Sequence, residues 1–440
     1  MKEPRSGNSV TDRLRFLMAL CLVALGAAAF AIAFRSSLTL WYRMALGAGN
    51  VVEAIARLPW WMRVGLPAAG GAVAGLISRL RATPVQGVSN VMEAVALGNV
   101  QLSLRTTVSR VLSSWSAIAT GMSIGREGPL IEFGGSLGAA LGRATATSLD
   151  RTRVLVAAGT AAGFAAAYNT PFAAVLFVFE TIVGIAAPEA LLPTVAATVI
   201  ATTLTRAVVG AGPIYGQRSF GPESTAAMLS FGALGILAAF AAFGFKRVLA
   251  FLERWFEHHP VQQPLRATMG GLVVGLIAVL LPEVAGNGFE PLNAILDQRM
   301  LLSAVALLLV AKVFATGASV ASGVPGGIFT PMLLIGATLG SLWAQLVGLL
   351  PTLTSPSAGS YALVGMAAAT AASIHAPLTA AVLVFELSGD YAIVLPLLLA
   401  TVVATTVSRG LGSESVYEAE LRRKGLGWEL TLDGRQMTGE

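Results

Sequence analysis

The chain has 440 residues, 55% of them hydrophobic and only 12% charged, with a mean hydropathy of +0.74. Soluble domains carry about 25% charge, so this balance excludes an ordinary soluble enzyme and marks an integral membrane protein. The net charge of +6 is scattered or set beside apolar runs, which excludes nucleic acid as a partner, and the lone Cys21 excludes an intrachain disulfide and a cysteine-cluster metal site.

Lys2, Arg5, Arg13 and Arg15 flank the first apolar run, 16–34. The residues after it, "FRSSLTLWYRM", offer no small-residue cleavage site, so the run reads as a retained span. Trp60 and Trp61 read as interface anchors. Further apolar runs fall at 64–79, 92–118, 129–145, 153–168, 171–186 and 190–212, then at 226–253, 267–282, 299–320, 329–350, 360–374, 377–388 and 391–408. A straight span needs about 20 apolar residues. Several of these runs are shorter and broken by Gly or Pro, which predicts helices that end inside the protein around a cavity. The polar stretch "GPIYGQRSFGPES" from Gly212 reads as a linker between halves, and His258–His259 as a loop near the membrane surface. Arg409, Arg422, Arg423 and Lys424 follow the last run, so both termini are expected in the cytoplasm, with an even number of crossings. The expected division is a tail 1–15, a first membrane repeat 16–212, a linker 213–225, a second repeat 226–412 and a short cytoplasmic tail 413–440.

The halves resemble each other. "GGAVAGLI" from Gly70 matches "GGLVVGLI" from Gly270, an offset of 200. Pro129, Gly134 and Gly138 match Pro331, Gly336 and Gly340, an offset of 202. The segment from Gly159 to Glu180 matches that from Gly365 to Glu386, an offset of 206, with Pro171 on Pro377 and Glu180 on Glu386. Three matches in the same order predict an internal duplication and a transporter-like core with its site between the halves.

That site has a sequence signature. "SIGREGPLIEFGG", Ser123 to Gly135, sets loop glycines before a proline at the expected start of a helix. Its duplicate, "SGVPGGIFTP", Ser322 to Pro331, does the same. A helix N-terminus offers unpaired N–H groups and partial positive charge, and glycine lets backbone approach an ion closely. If the two loops converge, they form one anion site whose dipoles attract an ion without trapping it. Glu127 then places an internal carboxylate in the mouth of that site.

These motifs, with "GNGF" (Gly286–Phe289) and "SVY" (Ser415–Tyr417), resemble the CLC family of chloride channels and chloride/proton exchangers, over about residues 16–420. The resemblance is strongest to its short bacterial members. It implies an all-α polytopic protein, an inverted repeat of many tilted and broken helices, and a homodimer with one pore per subunit. It also implies that Glu127 is the gating glutamate, competing with chloride and linking proton to anion occupancy. Backbone N–H groups around Arg126, Glu127 and Gly128 match the outer anion site, those of Ile328 and Phe329 the central site, and Tyr417 the tyrosine that donates to the central anion.

Two departures from the family pattern stand out. The usual Gly-Ser-Gly-Ile-Pro motif is replaced by "PVQGVSNVMEA", which puts Gln86 at the serine position; its amide can still donate to an anion or turn into the vestibule wall. Where exchangers carry an inner glutamate on the proton path, "LFVFETIVG" places Thr181, which does not titrate, preceded by Glu180. Glu180 could serve that path, yet its duplicate Glu386 argues for a structural part played by both acids.

The leading reading is a chloride/proton antiporter of the bacterial inner membrane, with chloride as substrate and no cofactor or nucleotide. A passive, voltage- or pH-dependent chloride channel is the alternative that Thr181 and Gln86 favour. An intramembrane enzyme with a Glu127–Glu180 acid/base pair lacks an accompanying nucleophile or metal cluster. Another anion, fluoride or nitrate, would keep the fold, whereas Tyr417 and the intact "GREGP" favour chloride.

Overall fold

A computed structural model describes residues 10–80, 87–97, 102–184, 188–218, 220, 225–259, 261–349, 357–431 and 434–439. The first half contains α1 (Val10–Leu46), α2 (Val51–Arg57), α3 (Trp60–Arg79), α4 (Val88–Leu97), α5 (Leu104–Ala119), α6 (Glu127–Ala144), α7 (Leu149–Tyr168), α8 (Pro171–Phe177) with a π-helical extension Val178–Val183, and α9 (Pro188–Val209). The second contains α10 (Thr225–His258), α11 (Leu265–Leu280), a 3-10 turn Pro282–Val284, α12 (Phe289–Leu296), α13 (Leu302–Ala321), α14 (Phe329–Gly348), α15 (Ala358–Ile374), α16 (Pro377–Ser388) and α17 (Val394–Gly410). After them come α18 (Val416–Arg422) and an antiparallel hairpin of β1 (Leu426–Thr431) and β2 (Gly434–Gly439). Five of the described helices are long and apolar enough to cross a membrane, and several shorter apolar helices pack among them.

The apolar runs and the helices differ where polar capping intervenes. The run 92–118 is two helices, because Ser103 accepts from Thr106 N and starts α5 afresh. The short helices α2, α12 and α18 are too brief to show as apolar runs. The tail after 413 carries α18 and the hairpin.

Glycine sets the helix spacing in both halves. A Cβ on Gly134 of α6 would lie 2.0 Å from the Gly159 carbonyl oxygen of α7, and one on Gly159 would lie 2.2 Å from that of Gly134. The same crossing recurs between α14 and α15, where a Cβ on Gly336 would meet Gly365 O at 2.2 Å and one on Gly365 would meet Gly336 O at 2.2 Å. Such backbone-to-backbone contact is how helices associate where no hydrophobic drive separates them from lipid.

The relation between halves is inverted. α3 and α11 are counterparts under the 200-residue offset, and they pack against each other. Gly71 abuts Ala267 and Gly275 abuts Val64, so one index rises as the other falls. A helix packed antiparallel on its own counterpart requires a two-fold axis between them, across the helix direction. Each half therefore runs through the membrane in the opposite sense to the other.

Gly134→Val is expected to destabilise the protein by about 1–3 kcal/mol or more through overpacking of the α6–α7 crossing. Gly244→Val, on the open face of α10 where a Cβ meets nothing within 4 Å, is the control. Thermal unfolding in detergent, followed by size-exclusion chromatography, reads both; equal midpoints would contradict the packing account.

Candidate anion and proton site

Two helices begin at the two glycine loops. α6 starts at Glu127 after the N-cap Arg126, and α14 starts at Phe329 after the N-cap Ile328. Pro129 and Pro331 occupy the third helical position rather than the first, still within the turn where a missing N–H leaves no bond broken. Neither N-cap side chain closes its helix, so the first-turn N–H groups are left to another acceptor.

The loops converge. Gly125 N donates to Gly327 O at 2.7 Å, and Gly327 N donates to Gly125 O at 2.9 Å. Each glycine thus pairs with its own counterpart under the 202-residue offset, on the axis relating the halves. Ser123 secures this bridge to α13, its N donating to Ser319 Oγ at 3.2 Å and its hydroxyl bonding Thr316 Oγ1 at 2.9 Å.

Glu127, only 2% exposed, points its carboxylate across the bridge at the other helix. Thr330 N donates to Oε1 at 3.2 Å and Thr330 Oγ1 donates to Oε2 at 2.9 Å. The threonine hydroxyl has a single hydrogen, so the Tyr168 hydroxyl, 2.8 Å away, donates to it and completes a chain from Tyr168 through Thr330 to Glu127. A Cβ on Gly125 would lie 2.1 Å from Glu127 Oε1 and one on Gly327 would lie 2.2 Å from it, so both glycines are needed for the backbone to approach the carboxylate. Glu127 has its polar contacts with Thr330 rather than with the adjacent, half-buried Arg126.

A cavity of about 280 Å³ reaches Glu127 from the side of α18, passing Gly128, Ile328 and Tyr417. Phe329 is buried beside it, in an aromatic group with Phe164, Tyr168 and Phe177; the ring centroids of Phe177 and Tyr417 are 6.2 Å apart. α18 holds Tyr417 in place through a capping box of Ser415 and Glu418. His375 Nδ1 lies 3.6 Å from Glu418, and Lys246 Nζ donates to Glu414 O at 2.9 Å. Burial opposes ionisation of Glu418, but the bond to His375 and those to Ser415 outweigh it and hold its carboxyl at about 2. A depressed carboxyl contributes stability above the ordinary carboxylate range and loses it as pH falls toward that value. The anchor of Tyr417 therefore survives moderate acidity.

Gln86 lies outside the described residues, although Gly87 borders the cavity. Glu180 does not join Glu127. Its carboxylate accepts from Leu378 N at 3.0 Å and from Thr379 N and Oγ1, each at 2.6 Å, at the start of α16. Glu386 does the same for α8, accepting from Phe172 N at 3.2 Å and Ala173 N at 2.8 Å. Each acid ties down the first turn of the other half's helix. Thr181 is buried in the π-helical turn, which packs against α4.

Sequence reading missed four participants. Thr330 and Tyr168 are hydroxyl residues in apolar helices and carry no local signal. Arg110 and Lys312 were visible as lone cations in "TTVSRVLSSW" and "LLLVAKVFAT", again 202 residues apart. Lys312, fully buried, donates to Val284 O and Gly286 O, both at 2.9 Å, and fixes the "GNGF" loop. Arg110 faces Glu132 across 3.1 Å beside the cavity.

Inverted halves whose glycine-loop helix ends meet at a buried glutamate define an ion-transport protein. The family model described as voltage gated chloride channel matches residues 69–409, and the chain belongs to this family. It is 39% identical to a ClcB-like chloride channel protein of Ralstonia nicotianae over 91% of this chain and 95% of that one. Identity to the voltage-gated ClC-type chloride channel ClcB of Escherichia coli is 30%, over 89% and 95% of the two chains. Among solved structures, a slow cyanobacterial Cl⁻/H⁺ antiporter matches with a TM-score of 0.84 and 25% identity, over 93% of this chain and 98% of that one.

Thr330→Val removes one donor to the Glu127 carboxylate, a charged hydrogen bond worth about 1.5–3 kcal/mol. Chloride efflux from liposomes at neutral pH should rise several-fold, because the carboxylate leaves its position more readily, whereas Thr330→Ser should behave as the parent. An unchanged flux in the valine variant would contradict the assigned bond.

Proposed function

We propose that this protein exchanges chloride for protons across the bacterial inner membrane, as a homodimer with one pathway per subunit and both termini in the cytoplasm. The observation that carries this reading is the Glu127 carboxylate held by Thr330 N and Oγ1 where the two helix ends meet. An anion site that holds an internal carboxylate is closed to chloride while the acid is ionised. Protonation removes the attraction to the helix dipole and the bond to Thr330 N, the side chain swings away, and chloride enters. One group then accounts for both the proton and the anion.

Arg126 and Gly128 offer the backbone of the outer anion position. Ile328 and Phe329 offer that of the inner one, with the Tyr417 hydroxyl beside it; the part of Gln86 rests on the family resemblance of its stretch alone. The halves 16–212 and 226–412 contribute one helix end each. The cavity past Tyr417 is the cytoplasmic approach. Glu180 is more at home as a structural acid than as a proton carrier, because its oxygens are taken up by α16. A passive chloride channel remains the second reading, favoured by Thr181, which cannot titrate at the position where exchangers carry an acid.

The test is proton movement in liposomes driven only by a chloride gradient. The exchanger reading expects uphill proton flux that disappears in Glu127→Gln while chloride still moves. Chloride flux without proton flux in the parent protein would establish the channel instead.

A further inference from the structure

Arg110 and Glu132 are a buried ion pair on the wall of the cavity that leads to Glu127. They are 5% and 3% exposed, on α5 and α6. Two features set the pair apart from a structural salt bridge. Arg110 Nη1 lies 3.1 Å from Glu132 Oε1, yet Arg110 Nε and Nη1 are buried and make no aligned hydrogen bond among the described residues. A buried guanidinium with donors left over faces a cavity, and leaving such donors unmatched is costly unless another acceptor visits. The counterpart cation, Lys312, shows the contrast: its ammonium is bonded to two carbonyls.

We propose that Arg110 and Glu132 form a proton-linked anion station on the approach to Glu127, an inference that rests on reading the cavity as the chloride route. In the resting pair the two charges cancel and a chloride gains little from Arg110. When Glu132 takes a proton from cytoplasmic water, its O–H bond forms, the guanidinium is freed, and a chloride becomes its counter-ion. The station takes up proton and chloride together and hands each on toward Glu127. It also supplies the second acid that Thr181 cannot be.

Among the described residues, Arg110 faces Glu132 from α5, and the helix of Glu132 itself carries Glu127 and Arg143, with Arg126 at its N-cap. α7 presents the uncharged stretch Gly159–Gly163 at its level, judged from the Gly134–Gly159 contact. On α1, Phe30 stacks on Phe133, and the nearest charge along that helix is Arg35. Glu93 of α4 pairs with Lys424 at 3.3 Å, and Glu253 of α10 with Arg423 at 2.8 Å, which leaves Glu420 as the other acid at the mouth.

Chloride binding by calorimetry, on purified protein carrying Glu127→Gln, isolates the station because the gating acid no longer titrates. The expected result is chloride binding that tightens about tenfold from neutral to acid pH. Adding Glu132→Gln should make binding tight at both pH values, and adding Arg110→Met to that pair should weaken it at both. Unchanged affinity and pH dependence on adding Glu132→Gln would overturn the station. Should that variant fail to fold, proton uptake on chloride addition in weakly buffered Glu127→Gln protein decides: uptake supports the station and none overturns it. If Glu127→Gln protein binds no chloride at any pH, the transport reading itself falls, and the station with it.

Discussion

The bridge between Gly125 and Gly327 is the constraint on which the rest of the structure depends. Two backbone hydrogen bonds join a residue to its own counterpart in the other half. They bring the N-termini of α6 and α14 to one point inside the protein. Neither helix end is capped by its own side chain, so each must find an acceptor elsewhere. The only acid in the two loops, Glu127, supplies it to α14. A side chain at either bridging position would displace that carboxylate, which explains glycine at both in terms of space alone.

Symmetry builds the site and asymmetry makes it work. The α3–α11 packing, the glycine crossings, and the exchange of Glu180 and Glu386 between helix ends all obey the same two-fold relation. At the site the counterparts diverge. Glu127 is matched by Phe329, Gly128 by Thr330, Arg110 by Lys312. A site with an acid on both sides would hold two carboxylates in one anion position, and like charges there would repel. One acid facing a threonine and a phenylalanine fits the single gate proposed for Glu127. The buried cations divide in the same way, Lys312 bonded into the "GNGF" loop and Arg110 paired with Glu132 on the cavity wall.

Much of this was legible in the sequence because its signals are local. Apolar runs place most of the long helices, and Gly-Arg-Glu-Gly-Pro with its duplicate marks both helix starts. The duplication gave the halves, but their inverted orientation waited for the contact between Gly71 and Ala267, since similarity between segments carries no direction in space. The break at Ser103 was hidden because apolar residues recur on both sides of it in "NVQLSLRTTVSRVL", and a serine among them reads equally as helix surface. Thr330 and Tyr168 were hidden for a related reason: their part is defined by a partner far off in the chain. Arg110 and Glu132 were each visible as charges, but pairing across α5 and α6 is a property of packing. The exchange of Glu180 and Glu386 between halves is of the same kind.

The account's central claim is that the Glu127 carboxylate and chloride compete for the position between the two helix ends. The most direct measurement is a crystal structure in bromide at acid pH, with anomalous scattering locating the halide. Bromide at the first turn of α14, with the Glu127 side chain turned away from Thr330, is the predicted result. A carboxylate still bonded to Thr330, with bromide bound elsewhere, would contradict it.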